Sequence, residues 1–200
     1  MNFSPLPREF YKPSADIVAP NLLGHFLLRS TPSGVCGGVI VETEAYLKDD
    51  PACHAYVRET PRNKSMWGEC GRAYVYLIYG YHFCFNAVCN ETGIAEAVLI
   101  RAIEPTFGIE ILQANRNAIR KRDLTNGPAK LCAAMNINRE LDGVDICDSH
   151  SPLFIGENPD RNALLAERAP TIQTTRIGLS KAEDWPLRWY LGGSEFVSKR

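Results

Sequence analysis

Two carboxylates and a phenol alternate along one predicted strand. Residues 37–47 are rich in β-branched side chains, which favours a strand. Because side chains alternate between the two faces of a strand, Glu42, Glu44 and Tyr46 share one face, while small and apolar residues occupy the other. A carboxylate beside an aromatic wall on a rigid strand suits general acid or base catalysis. We expect one carboxylate to act chemically and the other to be structural; the alternative is that both face solvent on an edge strand.

A second pair of segments is rich in aromatic residues. Residues 73–79 and 82–89 are apolar runs joined around Gly80, a pattern typical of a β-hairpin. Tyr79 and Tyr81 flank the glycine at the expected tip. Aromatic side chains at an exposed tip are costly to leave in water, and a tip that enters base-paired nucleic acid as a wedge would explain them. The alternative is a tyrosine-rich strand pair packed in the core.

Positive charges flank the hairpin in the sequence. Arg62 and Lys64 precede it, within a polar stretch over residues 48–72 that we interpret as a long functional loop. Residues 116–122 carry four further cations, and Lys130 follows a proline that predicts a helix start. Cations near an aromatic tip fit contacts with a phosphate backbone. The alternative is that they are solvated surface charges.

The seven cysteines show no metal-binding spacing. They form no CxxC pair, and buried free thiols are the simplest interpretation. Cys53, His54, Cys70, His82 and Cys84 have residue types that bind zinc, but their spacing does not match a zinc knuckle or finger.

Strands dominate the middle of the chain and helices flank them. Helical patterns occur in the first part of 14–28, over 106–122 and from Gly127-Pro128 to about Asn136. Strand-like composition occurs after Gly24 and at 96–103, 174–179 and 189–191. These elements predict an α+β fold, a single domain over residues 1–200. Its sheet is mixed or antiparallel, with flanking helices and a protruding β-hairpin.

Length and charge are compatible with one soluble enzyme domain. The chain has 200 residues, is 45% hydrophobic and carries a formal net charge of -1, so any phosphate-binding surface must be a local cluster. No run of 18 apolar residues occurs, which predicts no membrane contact. The N-terminus lacks the pattern of a signal peptide. We therefore expect a cytoplasmic protein, associated with the nucleoid, or a nuclear one if the source is eukaryotic.

Several motifs together identify a family resemblance. They include Ile-Val-Glu-Thr-Glu-Ala-Tyr at 40–46, Tyr-Val-Tyr-Leu-Ile-Tyr-Gly at 74–80 and Val-Leu-Ile-Arg-Ala-Ile-Glu-Pro at 98–105. Shorter matches lie at 60–63, 127–132, 176–178 and 186–190. In this order they closely resemble the 3-methyladenine (alkyladenine) DNA glycosylase family of the mammalian type. The resemblance covers roughly residues 6–198.

The resemblance implies the chemical roles of three residues. Glu44 matches the general base of the family, which activates the water that attacks C1′ of a flipped nucleotide. Arg101 and the carbonyl of Ile177 match groups that help to hold this water. Family members use no metal or cofactor and form no Schiff base on a lysine.

The resemblance also implies how the base is bound. Tyr46, the segment at His54 and Tyr76 match the walls of the base pocket. Asn86 matches the residue that crowds the amino group of normal guanine, and Tyr79 matches the wedge that fills the gap in the minor groove. By strand alternation, Tyr76 and Tyr79 should point to opposite faces.

Three functions follow as hypotheses. The first is a monofunctional DNA glycosylase, working as a monomer on double-stranded DNA that contains alkylated or deaminated purines such as 3-methyladenine, 7-methylguanine, hypoxanthine and ethenoadenine. The second is a non-catalytic damaged-DNA-binding protein on the same scaffold, against which the presence of both Glu44 and Arg101 argues. The third is hydrolysis of free nucleosides, for which a wedge at Tyr79 would have no use.

Overall fold

Eight strands form one antiparallel sheet, with four helices beside it, in the computed structural model, which describes residues 3–199. The strands are β1 (Phe26–Thr31), β2 (Gly34–Tyr46), β3 (Ala73–Ile78), β4 (His82–Cys89), β5 (Glu96–Phe107), β6 (Leu153–Gly156), β7 (Ala169–Thr174) and β8 (Arg188–Gly192). The helices are α1 (Ala15–Leu22), α2 (Ile109–Asn115), α3 (Pro128–Ala134) and α4 (Arg161–Glu167). Strands hydrogen-bond in the order β3-β4-β5-β2-β1-β6, and β8 pairs with both β2 and β7. The predicted α+β class is confirmed.

The strand β2, which carries both carboxylates, is central in the sheet. On one edge it pairs with β5, and on the other it pairs first with β1 and then, from Glu42 to Glu44, with β8. Its register against β5 shifts around Glu42, and such irregularities re-aim side chains. Both carboxylates are fully buried. The alternative that they face solvent on an edge strand is therefore wrong.

The helix predicted after Gly127 is confirmed, with a slightly earlier end. Pro128 occupies the first turn of α3, where its missing N–H costs nothing. The inner face predicted from the pattern, Leu131, Ala134 and Met135, is fully buried. This helix packs against β4 and β5, and its first turn reaches the cavity described below.

The helix predicted over 106–122 is much shorter. The strand β5 continues to Phe107, and Gly108 then takes the left-handed conformation (φ 55°) that starts α2. Leu112 is its one buried residue. Beyond Asn115, four cations fall within residues 116–122, and like charges on a helix repel one another. The segment forms only a 3₁₀ turn at Lys121–Asp123.

The C-terminal quarter differs from the prediction in several elements. The predicted strand at 189–191 is confirmed as part of β8, but the strand predicted at 174–179 is wrong, since β7 ends at Thr174. The residues that follow leave the sheet because the side chain of Arg176 bonds Asp50 and the backbone of Ala45 instead. The elements β6 and α4 have no counterpart in the predicted set.

Buried side chains form two clusters. The larger one packs α1 and α3 against the sheet and includes Val75 and Phe85. The smaller one includes Tyr74, Tyr76 and Leu99, and it borders a cavity. None of the helices in residues 3–199 has the length and apolar character that a membrane span requires.

Candidate active site

A cavity of about 350 Å³ opens beside the smaller cluster, a volume within the usual range of small-ligand sites. Its walls come from the end of β2, the hairpin β3–β4, strand β5, the start of α3 and two loops. The lining residues are Tyr46, Ala52, His54, Met66, Tyr74, Tyr76, Ile78, Tyr79, Cys84, Asn86, Leu99, Arg101, Pro128, Ala129, Ile177, Gly178 and Leu179. Seven of the residues proposed from the sequence are therefore gathered around one space.

The carboxylate of Glu44 lies directly behind this lining. Oε2 accepts a hydrogen bond from the hydroxyl of Tyr46 at 2.9 Å and forms an ion pair with Nη1 of Arg101 at 3.1 Å, and Oε1 accepts a hydrogen bond from the backbone N–H of Ile177 at 2.9 Å. All three partners belong to residues that line the cavity. A carboxylate oxygen accepts about two hydrogen bonds, and Oε1 receives one, so Oε1 can accept a further donor.

Glu42 has a different environment. Its Oε1 accepts from Nε of Arg101 at 3.1 Å, from Nε of Arg188 at 2.7 Å and from the hydroxyl of Ser198 at 2.8 Å. Its Oε2 accepts from the backbone N–H of Ser198 at 2.6 Å. Four hydrogen bonds satisfy this carboxylate, and of the residues that donate them only Arg101 lines the cavity. Its contacts are those of a buried structural anchor.

Arg101 connects the two carboxylates. Nε bonds Glu42, Nη1 bonds Glu44, and Nη2 donates to the hydroxyl of Ser198 at 3.3 Å. Burial alone would lower the pKa of Arg101, but the carboxylates of Glu44 and Glu42 outweigh it and raise the pKa above its usual value. The guanidinium is therefore permanently charged and fixed at three nitrogens.

The C-terminal segment adds further hydrogen bonds to this network, a feature that the sequence did not indicate. Ser198 contacts both Glu42 and Arg101, and Arg188 donates from Nη2 to the carbonyl of Lys199. Phe196, two residues earlier, is buried in the larger cluster and anchors the segment. No local signal marks Ser198, because its partners are more than 90 residues away in the chain.

A buried ion pair holds the loop that carries Ile177. The guanidinium of Arg176 bonds both oxygens of Asp50 and the carbonyl of Ala45, and the side chains of the ion pair are fully buried. It also lies 4.7 Å from the ring centre of Tyr46, a cation–π distance. Arg176 belongs to a motif noted in the sequence, which could have drawn attention to it, whereas Asp50 stands in no such motif.

The aromatic walls are neutral and packed against one another. Tyr74 and Tyr76 are stacked with ring centres 5.3 Å apart, and His54 meets Tyr76 edge-on at 4.5 Å. Burial raises the pKa of both tyrosines, and burial together with Arg62 lowers the pKa of His54. The ring of His54 is held by its Nδ1, 3.0 Å from the hydroxyl of Tyr74.

Asn86 and Tyr46 complete the polar groups of the cavity. Asn86 donates from Nδ2 to the carbonyl of Tyr74 at 3.1 Å, which fixes the plane of its amide. Burial raises the pKa of Tyr46 well above its usual value, and the neighbouring carboxylate of Glu44 raises it further. Tyr46 therefore stays protonated and donates to Glu44.

Comparison with known proteins identifies the family. The sequence profile of the family described as Methylpurine-DNA glycosylase (MPG) matches residues 9–195. A protein of Francisella tularensis subsp. tularensis (strain SCHU S4 / Schu 4) is 47% identical over 182 residues, which cover 91% of this chain and 92% of that protein. One from Carboxydothermus hydrogenoformans is 44% identical over 195 residues, 98% and 99% of the two chains. Both carry the name "Putative 3-methyladenine DNA glycosylase".

This chain belongs to the methylpurine-DNA glycosylase family. The match covers nearly the whole chain and includes every motif quoted above. The resemblance inferred from the sequence is confirmed. A DNA glycosylase hydrolyses the bond between a base and its sugar, so damaged DNA is the substrate that this family membership implies.

The hairpin tip of this glycosylase is exposed at the cavity mouth. Tyr79 is 79% exposed and Tyr81 is 73% exposed. Tyr79 lies beyond the last residue of β3 in a left-handed conformation (φ 54°), followed by Gly80 (φ 80°). Strand alternation therefore does not set its direction, and Tyr79 lines the same cavity as Tyr76. The expectation that these two tyrosines point to opposite faces rested on this alternation and stays a prediction.

The three cations expected to contact the DNA backbone differ in their exposure and in their hydrogen-bond partners. Arg62 is exposed and donates to the carbonyl of Leu77 in the hairpin at 3.1 Å, and Lys64 is exposed at the start of a 3₁₀ turn. Lys130 already bonds Asn126 at 2.8 Å. Arg62 and Lys64 are therefore the more available of the three.

The described residues contain no cluster suited to a metal. Across residues 3–199, no three His, Cys, Asp or Glu side chains are grouped so that they could hold an ion. The zinc site considered from Cys53, His54, Cys70, His82 and Cys84 has no matching arrangement there.

Proposed function

We propose that the cavity receives a damaged purine flipped out of duplex DNA and that Glu44 activates the water which hydrolyses its N-glycosidic bond. The observation that carries this proposal is the state of Glu44. Its carboxylate is fully buried, is held by two hydrogen bonds and one ion pair from cavity-lining residues, and can accept a further donor on Oε1, which receives one hydrogen bond. A water donating to that position would sit beside Ile177, whose carbonyl is the further partner expected from the family.

The chemical step balances without a cofactor. The water oxygen forms a bond to C1′, its proton passes to Glu44, and the C1′–N bond breaks with its electron pair leaving on the base. A cationic alkylated purine leaves as a neutral base. A neutral lesion such as hypoxanthine leaves as an anion unless a proton reaches it. Arg101 contributes a fixed positive charge 3.1 Å from Oε2 of Glu44.

Selection of the base rests on the aromatic walls and on Asn86. Stacking on Tyr46 and Tyr76 favours electron-poor, alkylated rings through cation–π attraction. The amide of Asn86 is fixed by Tyr74, so it can crowd the exocyclic amino group of guanine without turning away. Flipping itself costs least for damaged or mispaired bases, which adds selectivity before the pocket is reached.

The surface around the cavity suits duplex DNA. Tyr79 takes the role of the wedge in the minor groove, and Arg62, Lys64 and Lys130 contact the phosphate backbone on either side. Among the described residues, no lysine lines the cavity, which favours simple hydrolysis without a Schiff base or lyase step. The glycosylase is proposed to act as a monomer, since one cavity reads one lesion.

The test is single-turnover excision on duplex oligonucleotides that carry hypoxanthine, ethenoadenine or 3-methyladenine, with alkali revealing abasic sites. Glu44→Gln should slow excision by about 10²- to 10⁴-fold while lesion binding is retained. Glu91→Gln is the matched control, because Glu91 is exposed on the β4–β5 connection. Undiminished excision by Glu44→Gln would remove Glu44 as the base.

The alternative functions give different results in the same assay. A non-catalytic damage-binding protein would bind the lesion duplex with no abasic product, even as wild type. A nucleoside hydrolase would release base from free nucleosides at least as fast as from DNA. The exposed aromatic tip disfavours the second of these, because a free nucleoside offers it nothing to enter.

A further inference from the structure

Exposed apolar side chains are concentrated in one region. Of nine large hydrophobic side chains that are exposed in residues 3–199, five lie on two neighbouring segments. One segment is the hairpin tip, and the other is the loop over residues 53–63, called the rim loop here. The five residues are Leu77, Tyr79 and Tyr81 on the tip and Tyr56 and Val57 on the rim loop. Val57, at 84% exposed, is as open to solvent as the proposed wedge.

The rim loop and the hairpin are in contact beside the cavity. His54, at the start of the rim loop, lines the cavity and packs edge-on against Tyr76. Arg62, near its end, donates to the carbonyl of Leu77 and lies 5.8 Å from the ring centre of Tyr76. A duplex whose base enters the cavity and whose groove meets the hairpin therefore passes close to the rim loop.

The rim loop is held in shape without help from the side chains of Tyr56 and Val57. The side chain of Asn63, 2% exposed, accepts from the N–H of Thr60 at 2.7 Å and donates to the carbonyls of His54 at 2.9 Å and Arg58 at 3.1 Å. These bonds close the base of the loop. A preorganised apolar tip loses little entropy on binding, so its contact area contributes to affinity.

The charges around the rim loop favour DNA as the partner of its apolar side chains. Arg58, Arg62 and Lys64 stand against the single carboxylate of Glu59 in this part of the chain. Cations around an apolar tip complement a groove of DNA, where phosphates border the apolar edges of deoxyribose and bases.

We propose that Tyr56 and Val57 form a second apolar contact with the duplex, beside the lesion and separate from the hairpin wedge. The contact rests on the proposed function, because the cavity orients the duplex. It goes beyond it by adding a surface that binds undamaged nucleotides next to the flipped one.

The test measures the dissociation constant for a lesion duplex by fluorescence anisotropy. Val57→Ser should weaken binding by roughly three- to tenfold, since a buried apolar contact is lost, and Val57→Leu should retain it. Ile17→Ser is the matched control, because Ile17 is 52% exposed on α1, which packs against the larger cluster. Tyr56→Ser, measured separately, should also weaken binding.

Salt dependence separates an apolar contact from a charge effect. The ratio of the Val57→Ser and wild-type dissociation constants should stay constant as salt rises. Lys64→Ala should instead reduce the slope of log affinity against log salt by roughly one. If Val57→Ser and Tyr56→Ser both bind like the wild type, the proposal is overturned. A protein partner would then be the better explanation for the exposed side chains of the rim loop.

Excision by the wild type, followed on the same duplex, separates the two proposals. Weaker binding by Val57→Ser with no excision by wild type would retain the contact and discard the glycosylase chemistry proposed here. Normal excision by wild type with unchanged binding by the variants would retain the glycosylase chemistry and discard the contact. A wild type that binds no duplex would overturn both.

Discussion

Glu42 and Glu44 contact the same guanidinium from one strand, yet only Glu44 is held entirely by residues that line the cavity. Nε of Arg101 lies 3.1 Å from Oε1 of Glu42, and Nη1 lies 3.1 Å from Oε2 of Glu44. Glu42 accepts four hydrogen bonds, whereas Glu44 accepts two and forms one ion pair, all with residues that line the cavity. Two like residues at i and i+2 are thus divided into an anchor and a candidate base.

Glu42→Gln should chiefly lower stability. The substitution leaves the buried guanidiniums of Arg101 and Arg188 with one carboxylate fewer, and breaking a buried pair in this way costs about 3–5 kcal/mol. Chemical denaturation should show this loss in the free energy of unfolding, whereas Glu91→Gln should stay within about 0.5 kcal/mol of wild type. Equal stability of Glu42→Gln and wild type would contradict the anchor role.

Tyr46→Phe should slow excision by about tenfold with little change in lesion binding, because it removes one donor to Glu44 but keeps the ring against Arg176. In wild type the raised pKa of Tyr46 keeps the hydroxyl protonated, so this residue should cause no loss of activity near its ordinary pKa of about 10. Single-turnover rates across pH test both points. A Tyr46→Phe variant as fast as wild type would show that this bond is dispensable.

Ser198→Ala should slow excision although Ser198 lies outside the cavity. The hydroxyl bonds both Glu42 and Arg101, so its loss loosens the guanidinium that faces Glu44. We expect about a tenfold lower single-turnover rate. Ser198→Thr keeps the hydroxyl and should restore most of the rate, and lesion binding should change less than the rate in either variant. Equal rates for the Ala and Thr variants would indicate that the segment acts only on folding.

Acidification should destabilise the fold through His25. Burial lowers the pKa of His25 from 6.5 to about 4, and its Nδ1 accepts from the N–H of Asn158. The unfolded chain takes up this proton near pH 6.5 and the folded one only near pH 4, so the contribution is complete above pH 6.5 and is lost as pH falls. The loss approaches about 3 kcal/mol.

A His25→Asn variant isolates this contribution, because asparagine keeps an acceptor near the position of Nδ1 and does not titrate. Its free energy of unfolding should fall less than that of wild type between pH 7 and pH 4.5, as measured by urea denaturation at each pH. A variant with the same pH dependence as wild type would assign the acid sensitivity to other groups.

Structural features that depend on residues close together in the chain could be predicted from the sequence alone. Strand alternation put Glu44 and Tyr46 on one face, where they are now bonded at 2.9 Å. Pro128 marked the start of α3, and the runs on either side of Gly80 specified the hairpin β3–β4. The motifs were sufficient for the family, since the chain's profile match spans residues 9–195. Each of these signals lies within a few residues of chain.

Which of the two carboxylates can act as a base, and which residues hold it, depends on contacts between distant parts of the chain. The bond from Ile177 to Glu44 spans 133 residues, that from Ser198 to Glu42 spans 156, and that from Arg176 to Asp50 spans 126. No periodicity encodes such pairs, because they depend on how separate elements pack. The same reason explains why the segment that contains Arg176 does not continue β7, and why Tyr79, beyond the end of β3, lines the cavity.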